Sequence, residues 1–117
     1  MAKISRAYDL AGVYLIRNKR NGKVYIGSSA DMVDRFAQHK RSLEKGCHSN
    51  RAMQTDFNSG HSFEFDILYV VPLKRHRGHT IRDHLHGMEL KFIEEYDAIN
   101  SGYNIQPVHE GYRRQVI

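Results

Sequence analysis

The sequence predicts an α+β fold, in which α-helices flank a small three-stranded antiparallel β-sheet. Three short segments alternate apolar and polar residues as β-strands do, and the segments between and after them have the apolar spacing of helices. With 117 residues, the chain has room for one domain with one modest core.

The first two predicted strands form a β-hairpin whose turn contains Asn21-Gly22, the dipeptide most typical of tight hairpins. If these two residues alone form the turn, Tyr14 lies opposite Ser29, and Tyr14 and Tyr25 point to the same face of the sheet. A loop with one residue more or fewer would place the two tyrosines on opposite faces.

Two helices are predicted between the second and third strands. Ser28 or Ser29 caps the first helix. This helix continues to Lys45 and stops at Gly46. Its buried face carries Met32, Phe36 and Leu43. A shorter helix follows Ser49 and covers the segment NRAMQTDFN.

The third strand and the last helix form the rest of the predicted fold. Residues 63–71 alternate with a period of two, and Pro72 ends this strand. The last helix begins near Leu85 and closes at Gly102, with apolar positions at Leu85, Met88, Phe92, Tyr96 and Ile99. Residues 74–87 are rich in His and Arg and show little periodicity, and their role is open.

Glu89 is out of place, because it lies within the apolar stripe of the last helix. An unpaired buried carboxylate costs several kcal/mol, so Glu89 needs a cation, hydrogen-bond donors or a metal ion. An ion pair with a lysine or arginine and a ligand role toward a hard divalent cation both satisfy this need.

Two polar residues border the buried stripe of the first helix. Arg35 and His39 are four residues apart, so their side chains are neighbours on the face turned toward the sheet. An arginine that extends to solvent and a hydrogen-bonded histidine at the core edge would produce the same pattern.

The net charge favours a polyanionic partner. Lys and Arg outnumber Asp and Glu by 18 to 13, and the sequence pI is about 9.5. From the excess of cations between residues 17 and 51 we expect phosphate contacts, although a solvated basic face would look the same. The cations expected to contact the phosphates of a nucleic acid are Arg17, Lys19, Arg20, Lys23, Lys40 and Arg41.

The cysteine and histidine content argues against a disulfide-stabilised protein and against a zinc module. The single cysteine, Cys47, excludes an internal disulfide, and no paired cysteines support a zinc module built on His76, His79, His84 and His86. No signal peptide is present near Met1, and no apolar run approaches the ~18 residues of a membrane span. We therefore expect a cytoplasmic protein without a membrane role.

Several motifs occur together in one order: Gly12-Val13-Tyr14, Tyr25-Ile26-Gly27, Arg35, His39, Glu89 and the segment NSGYNI at residues 100–105. In this combination the chain resembles the GIY-YIG nuclease family. The segment at residues 43–49, LEKGCHS, is most similar to phage-type homing endonucleases. The resemblance implies a nuclease domain at residues 11–106, an N-terminal extension at 1–10 and a C-terminal tail at 107–117.

The resemblance implies a DNA endonuclease that uses a single divalent cation, Mg²⁺ or Mn²⁺, and leaves 5′-phosphate and 3′-hydroxyl ends. The implied catalytic residues are Tyr14, Tyr25, Arg35, His39, Glu89 and Asn104. Glu89 would hold the metal ion, and Arg35 would meet the scissile phosphate. Tyr14 would activate water with help from His39, Tyr25 would orient the phosphate or water, and Asn104 would support the site. The glycines beside the tyrosines would let a phosphate approach the strands.

Two alternatives and one question of assembly stay open from the sequence. A non-catalytic nucleic-acid-binding domain would share the fold and the basic face, and a zinc-stabilised interaction module would use the histidine-rich segment. Within the nuclease interpretation, homing, restriction and repair enzymes share the same chemistry. One active site cuts one strand, so cleavage of both strands requires a dimer on DNA or sequential nicking.

Overall fold

A computed structural model describes residues 10–71 and 79–105 of the chain. In chain order, the elements are β1 (Ala11–Asn18), β2 (Val24–Ser29), α1 (Met32–Lys45), α2 (Arg51–Asn58), β3 (Phe63–Val71) and α3 (His79–Glu95). The strands form one antiparallel sheet in the order β2-β1-β3, which confirms the predicted α+β class. None of the helices in the described part of the chain combines the length and the apolarity that a bilayer crossing requires.

The hairpin loop is longer than the predicted two-residue turn. Asn18 and Lys23 close it through a backbone hydrogen bond of 2.9 Å, and the left-handed φ of 78° falls on Gly22. The buried side-chain oxygen of Asn18 accepts a hydrogen bond from the backbone N–H of Arg20, which stabilises this wider loop.

The wider loop changes the register but keeps the two tyrosines together. Tyr14 lies opposite Gly27, not opposite Ser29 as predicted. Because this shift is an even number of residues, Tyr14 and Tyr25 still point to one face, and their ring centroids are 6.5 Å apart. The predicted register is wrong, and the predicted shared face is confirmed.

The sheet separates two groups of core residues. On one face, side chains from β1 and β2 pack against α3 and the turn after it, in a cluster of Val13, Leu15, Val24, Ile26, Ile93 and Ala98. On the other face, a second cluster contains Tyr14, Ile16, Met32, Leu43, Met53 and Tyr103 and lies under α1 and α2. Tyr14 is therefore positioned by the core itself.

A β-bulge makes β3 change faces. Leu68 is the extra residue, between the two positions that pair with Val13 and Tyr14. Phe65, before the bulge, packs with the cluster under α1, whereas Tyr69, after it, packs with the cluster under α3. The predicted strand at residues 63–71 is confirmed, and the bulge interrupts its period-two alternation after Ile67.

The predicted helix boundaries need two corrections. The carboxylate of Asp31, and neither Ser28 nor Ser29, caps α1 by accepting the N–H of Asp34 at 3.1 Å, while Gly46 ends the helix with a φ of 77° as predicted. The last helix begins at His79, earlier than Leu85, and ends at Glu95, so Tyr96 and Ile99 lie in the turns that follow it.

The segment after α3 returns to the free edge of β2. The backbone N–H of Tyr103 donates to the carbonyl of Val24 at 2.8 Å, and Gly102 comes so close that a Cβ would overlap that carbonyl. Three predictions lie outside the described residues: the strand end at Pro72, most of the extension at 1–10 and the tail at 107–117.

Candidate active site

Three adjoining cavities surround the residues that the sequence singles out. The Glu89 cavity, about 440 Å³, is lined by Tyr25, His48, His86, Glu89, Leu90 and Asn104 among others. The His48 cavity, about 180 Å³, is lined by Arg35, Gln38, His39, Ser42, His48 and Ser49. The Arg82 cavity, about 530 Å³, is lined by Ser28, Ser29, Arg35, Arg82, Leu85 and His86 among others.

Shared residues join these cavities into one concave region. His48 lines the first two, Arg35 the second and third, and His86 the first and third. Tyr14 lies beneath this region, in hydrogen-bond contact with His39. The six predicted catalytic residues thus meet around the β2 edge of the sheet, with Tyr14, Tyr25, Arg35 and His39 on the α1 side and Glu89 on α3, which packs on the other face.

The glycines beside the tyrosines make room for protein atoms. A Cβ at Gly27 would overlap the hydroxyl of Tyr14, and a Cβ at Gly12 would overlap the carbonyl of Tyr69. Gly27 lies directly opposite Tyr14 in the hairpin, so its missing side chain lets the phenol cross the edge strand. Whether these glycines also admit a phosphate stays a prediction.

A chain of hydrogen bonds ends at the Tyr14 hydroxyl. The backbone N–H of Asn50 donates to Nδ1 of His48 at 3.0 Å, so the neutral His48 ring carries its proton on Nε2. This Nε2–H donates to Nδ1 of His39 at 2.8 Å, which leaves the proton of His39 on its own Nε2. His39 therefore donates to the Tyr14 hydroxyl oxygen at 2.8 Å, and the hydroxyl hydrogen of Tyr14 is available to another partner.

Burial keeps both imidazoles of this chain neutral. The pKa of His39 is lowered to about 4, first by burial and then by the nearby His48 and Arg35. Burial also lowers the pKa of His48. Both rings therefore lack a positive charge at neutral pH. Each ring then has one N–H donor and one acceptor nitrogen, as the hydrogen bonds among Asn50, His48, His39 and Tyr14 require.

The two tyrosines are held in their protonated form. The pKa of Tyr14 is raised by burial and by the nearby Tyr25, while Arg35 lowers it and Glu89 raises it. Burial and then Glu89 raise the pKa of Tyr25, against a lowering effect of Arg35. Any cation that offsets the charge of Glu89 would therefore lower the pKa of both phenols.

Glu89 projects from α3 toward the edge of β2, where the hydroxyl of Ser28 donates to its Oε1 at 2.7 Å. This contact gives the carboxylate a hydrogen-bond donor inside the apolar stripe, one of the partners that the helical pattern required. The side chain is half-buried and lines a cavity with space for water. A single carboxylate with room for water suits Mg²⁺, which usually keeps several water ligands.

Asn104 acts on the backbone of the edge strand. Its side-chain oxygen accepts the N–H of Ile26 at 2.7 Å, and its side-chain nitrogen donates to the carbonyl of Ile26 at 2.9 Å. The amide thus pairs with Ile26 as a neighbouring strand would, next to Tyr25. Because both ends of the amide are engaged, Asn104 supports the wall of the Glu89 cavity.

The predicted DNA contacts lie apart from these cavities. Arg17 is half-exposed, with its Nε 3.7 Å from a carboxylate oxygen of Glu64. The other predicted contacts are exposed, on the hairpin loop or its edge and on α1: Lys19, Arg20, Lys23, Lys40 and Arg41. None of the six lines the Glu89, His48 or Arg82 cavity, so their contact with DNA stays a prediction.

Three residues that line the site are not among the predicted catalytic residues: His48, Arg82 and His86. Arg82 and His86 lie within residues 74–87, a segment to which the sequence assigns no role beyond the zinc alternative. The segment LEKGCHS, which carries part of the family resemblance, contains His48 and was the available signal. No pattern indicated Arg82 and His86, because the helical start at His79 was not predicted.

A multi-ligand metal cluster does not occur among the residues that the structure describes, where no three His, Cys, Asp or Glu side chains converge. His84, one member of the predicted zinc set, forms a 2.7 Å hydrogen bond with the hydroxyl of Tyr69. His76 and the side chain of His79 lie outside the described part.

Comparisons with known proteins agree with this geometry. The family model described as the GIY-YIG catalytic domain matches residues 10–104. Intron-associated endonuclease 1 of Enterobacteria phage T4 is 38% identical over 96 residues, which are 81% of this chain and 36% of that protein. The chain therefore spans about a third of the length of this curated relative.

Solved structures show the same fold. The catalytic domain of the homing endonuclease I-TevI matches with a TM-score of 0.71 and 37% identity, over 82% of this chain and 98% of that chain. A mutant of the catalytic domain of intron endonuclease I-TevI matches with a TM-score of 0.72 and 36% identity, over 83% of this chain and 94% of that one. The predicted sheet with flanking helices is thus found in an experimentally determined relative.

Proposed function

The chain belongs to the GIY-YIG nuclease family, and from this we propose that it hydrolyses phosphodiester bonds of DNA with the help of one divalent cation. The observation that carries the proposal is the convergence at one edge strand of the Glu89 carboxylate, the Arg35 guanidinium and the hydrogen-bonded pair of Tyr14 and His39. The endonuclease name of the phage relative supports DNA as the substrate.

Glu89 is the residue that we propose holds the cation, Mg²⁺ or Mn²⁺. Its carboxylate oxygens are hard ligands, and the adjoining cavity leaves room for water and for a phosphate oxygen. When bound, such a cation supplies Lewis-acid stabilisation of the charge on the departing oxygen. Ser28 would keep the carboxylate oriented toward the cavity through its 2.7 Å hydrogen bond.

Arg35 is positioned for the scissile phosphate. Its side chain is exposed and lines two of the three cavities, and it forms no ion pair with a carboxylate in the described part of the chain. A guanidinium without a protein counter-ion can bind two phosphate oxygens at once and offset charge that develops on them.

Tyr14 would activate the attacking water as a phenolate, once its hydroxyl hydrogen, which the bond to His39 leaves available, has passed to solvent. The phenolate oxygen would then accept a proton from the water as the water attacks phosphorus. A phenolate at Tyr14 would be stabilised by the N–H of His39, and the nearby Arg35 also favours that charge. In this arrangement His39 stabilises the phenolate as a donor and is not the acceptor of its proton. Tyr25, whose ring centroid is 5.6 Å from that of His39, would orient the phosphate or the water.

Cleavage at the bond between phosphorus and the 3′ oxygen would leave 5′-phosphate and 3′-hydroxyl ends. Water would attack in line with that bond, and protonation of the departing oxygen would complete the 3′-hydroxyl. Water supplies the oxygen that the 5′-phosphate gains, so the reaction requires no further reactant.

A cleavage assay with matched variants tests the proposal. The chain is incubated with a random-sequence DNA duplex library with and without Mg²⁺, and the ends are mapped. We expect metal-dependent cleavage that falls by about 100-fold or more in Glu89→Gln and Arg35→Ala. Glu94→Gln and Lys45→Ala, exposed residues on the same two helices, serve as controls. Salt-sensitive binding of DNA without metal-dependent cleavage would instead identify a non-catalytic nucleic-acid-binding domain.

A further inference from the structure

The Arg82 cavity has no role in the reaction described above. Arg82 and His86 project into it from α3, Arg35 from α1, and Ser28 and Ser29 from the end of β2. It adjoins the Glu89 cavity at His86 and the His48 cavity at Arg35. A group bound there would therefore lie directly beside a group bound at Arg35.

The cavity is built for an anion. Among the described residues that line it, none is Asp or Glu, and two are arginines. Neither Arg35 nor Arg82 forms an ion pair with another described residue. The hydroxyl oxygen of Ser29 accepts the N–H of Asp31 at 2.9 Å, so its hydrogen remains available as a further donor.

Helical spacing links this cavity to the Glu89 cavity. Arg82, His86 and Glu89 are separated by four and three residues, so they follow one face of α3. At 1.5 Å per residue, the Cα atoms of Arg82 and Glu89 are about 10 Å apart along the helix. One helix face thus presents a carboxylate at one end and a guanidinium at the other.

We propose that the Arg82 cavity binds a second phosphate of the cleaved DNA strand, next to the scissile phosphate, with Arg82 as its main ligand and Ser29 as a further donor. This inference rests on the proposed nuclease function. Arg82 is a positioning residue, because it holds the strand in line with Arg35 and Glu89 without contacting the reacting atoms. Phosphate contacts of this kind fix the register of a protein on DNA.

The first test uses DNA substrates that lack one charge. Each phosphate near the cleavage site is replaced in turn by a neutral methylphosphonate, and the half-saturating protein concentration and the maximal rate are measured. One of these substrates should have its methylphosphonate at the phosphate that Arg82 binds. We expect the wild-type chain to bind that substrate about tenfold more weakly than unmodified DNA, because a charged contact is lost. Arg82→Ala should bind the unmodified substrate about tenfold more weakly. A methylphosphonate at that one position should not weaken its binding further, whereas substitutions at the other positions should act as in the wild type.

Matched variants separate this contact from general electrostatics. Lys91→Ala removes one charge from the same helix but lies outside the three cavities, so it should keep the wild-type sensitivity to methylphosphonate. Arg82→Lys should recover part of the affinity, and Arg82→Ala should lower the salt slope of binding by about 1 with little change in maximal rate. If Arg82→Ala and the wild type respond alike at every position, the inference is overturned.

A second test does not depend on cleavage. Inorganic phosphate is titrated into the chain and followed by NMR at the backbone amides of Ser28 and Ser29 and at Nε–H of Arg82. We expect saturable shifts in the wild type and in Lys91→Ala that disappear in Arg82→Ala. Phosphate that shifts none of these signals would refute the site even if the chain cleaves DNA. A chain that cleaves no DNA but shows these shifts would refute the nuclease function and keep the anion site.

Discussion

Nε2 of His39 lies 2.8 Å from the hydroxyl oxygen of Tyr14, and His39 is the donor of this hydrogen bond. Asn50 determines that direction, although it contacts neither His39 nor Tyr14 through this series of hydrogen bonds, but only His48. The N–H of Asn50 fixes the tautomer of His48, and His48 fixes that of His39. The imidazole next to Tyr14 is therefore a donor, and it can stabilise a phenolate without changing its own charge.

Replacement of His48 by alanine should allow His39 to adopt either neutral tautomer. In His48→Ala, Nδ1 of His39 loses its donor, so both neutral tautomers become populated and fewer molecules present Nε2–H to Tyr14. We expect cleavage to fall about 10- to 100-fold, as is usual when a group that orients a site residue is lost. Imidazole ¹⁵N shifts measure the tautomer directly. His61→Ala, a histidine that contacts Asn18 outside the site, should leave these shifts unchanged.

The pH dependence of stability should report the buried state of His39. Its folded pKa is about 4 against 6.5 for the exposed group, so between these values the unfolded chain binds more protons than the folded one. The free energy of unfolding therefore falls as the pH falls through this window, and it is not affected by His39 above it. Urea unfolding at several pH values, compared with His39→Gln, measures the effect. An NMR titration of His39 with a midpoint at or above 6.5 would contradict the prediction.

Local sequence patterns predicted the strands and helices, whereas the features that were predicted wrongly depend on contacts between residues far apart in the sequence. Alternation and helical spacing predicted each strand and helix that the described residues form, because each pattern is contained within one segment. The loop length was wrong because the side chain of Asn18 is buried and donates to the hydroxyl of Tyr103, a residue 85 positions away. A short sequence window contains no signal for such a contact.

The same distinction applies to the site. Tyr14, Tyr25, Arg35, His39, Glu89 and Asn104 were selected from family motifs and helical spacing, and the structure places them together. The tautomer order and the Arg82 cavity could not be predicted, since both depend on the distances between separate elements. The shared face of the tyrosines was predicted correctly from a wrong register, because the error was an even number of residues.

Substitution by alanine should change the free energy of unfolding in opposite directions at Gly27 and Gly87. A Cβ at Gly27 would overlap the hydroxyl of Tyr14, so Gly27→Ala should lower the free energy of unfolding by about 1–3 kcal/mol and displace the phenol. A Cβ at Gly87, within α3, meets no atom within 4 Å, so Gly87→Ala should stabilise the chain by about 0.5–1 kcal/mol. Urea unfolding measures both. A Gly27→Ala variant as stable as the wild type would show that Tyr14 can move away at no cost.

Asn104 should stabilise the edge strand that carries Tyr25. Asn104→Ala removes both hydrogen bonds to Ile26 and leaves its N–H and carbonyl without these partners, so we expect a loss of about 1–3 kcal/mol in the free energy of unfolding. Amide hydrogen exchange at Ile26 should accelerate, because the strand edge loses its cover. Asn100→Ala, which removes an exposed bond to Asp97, should change stability by less than about 1 kcal/mol and leave exchange at Ile26 unchanged. Unaltered exchange at Ile26 in Asn104→Ala would mean that backbone pairing with β1 alone protects this strand.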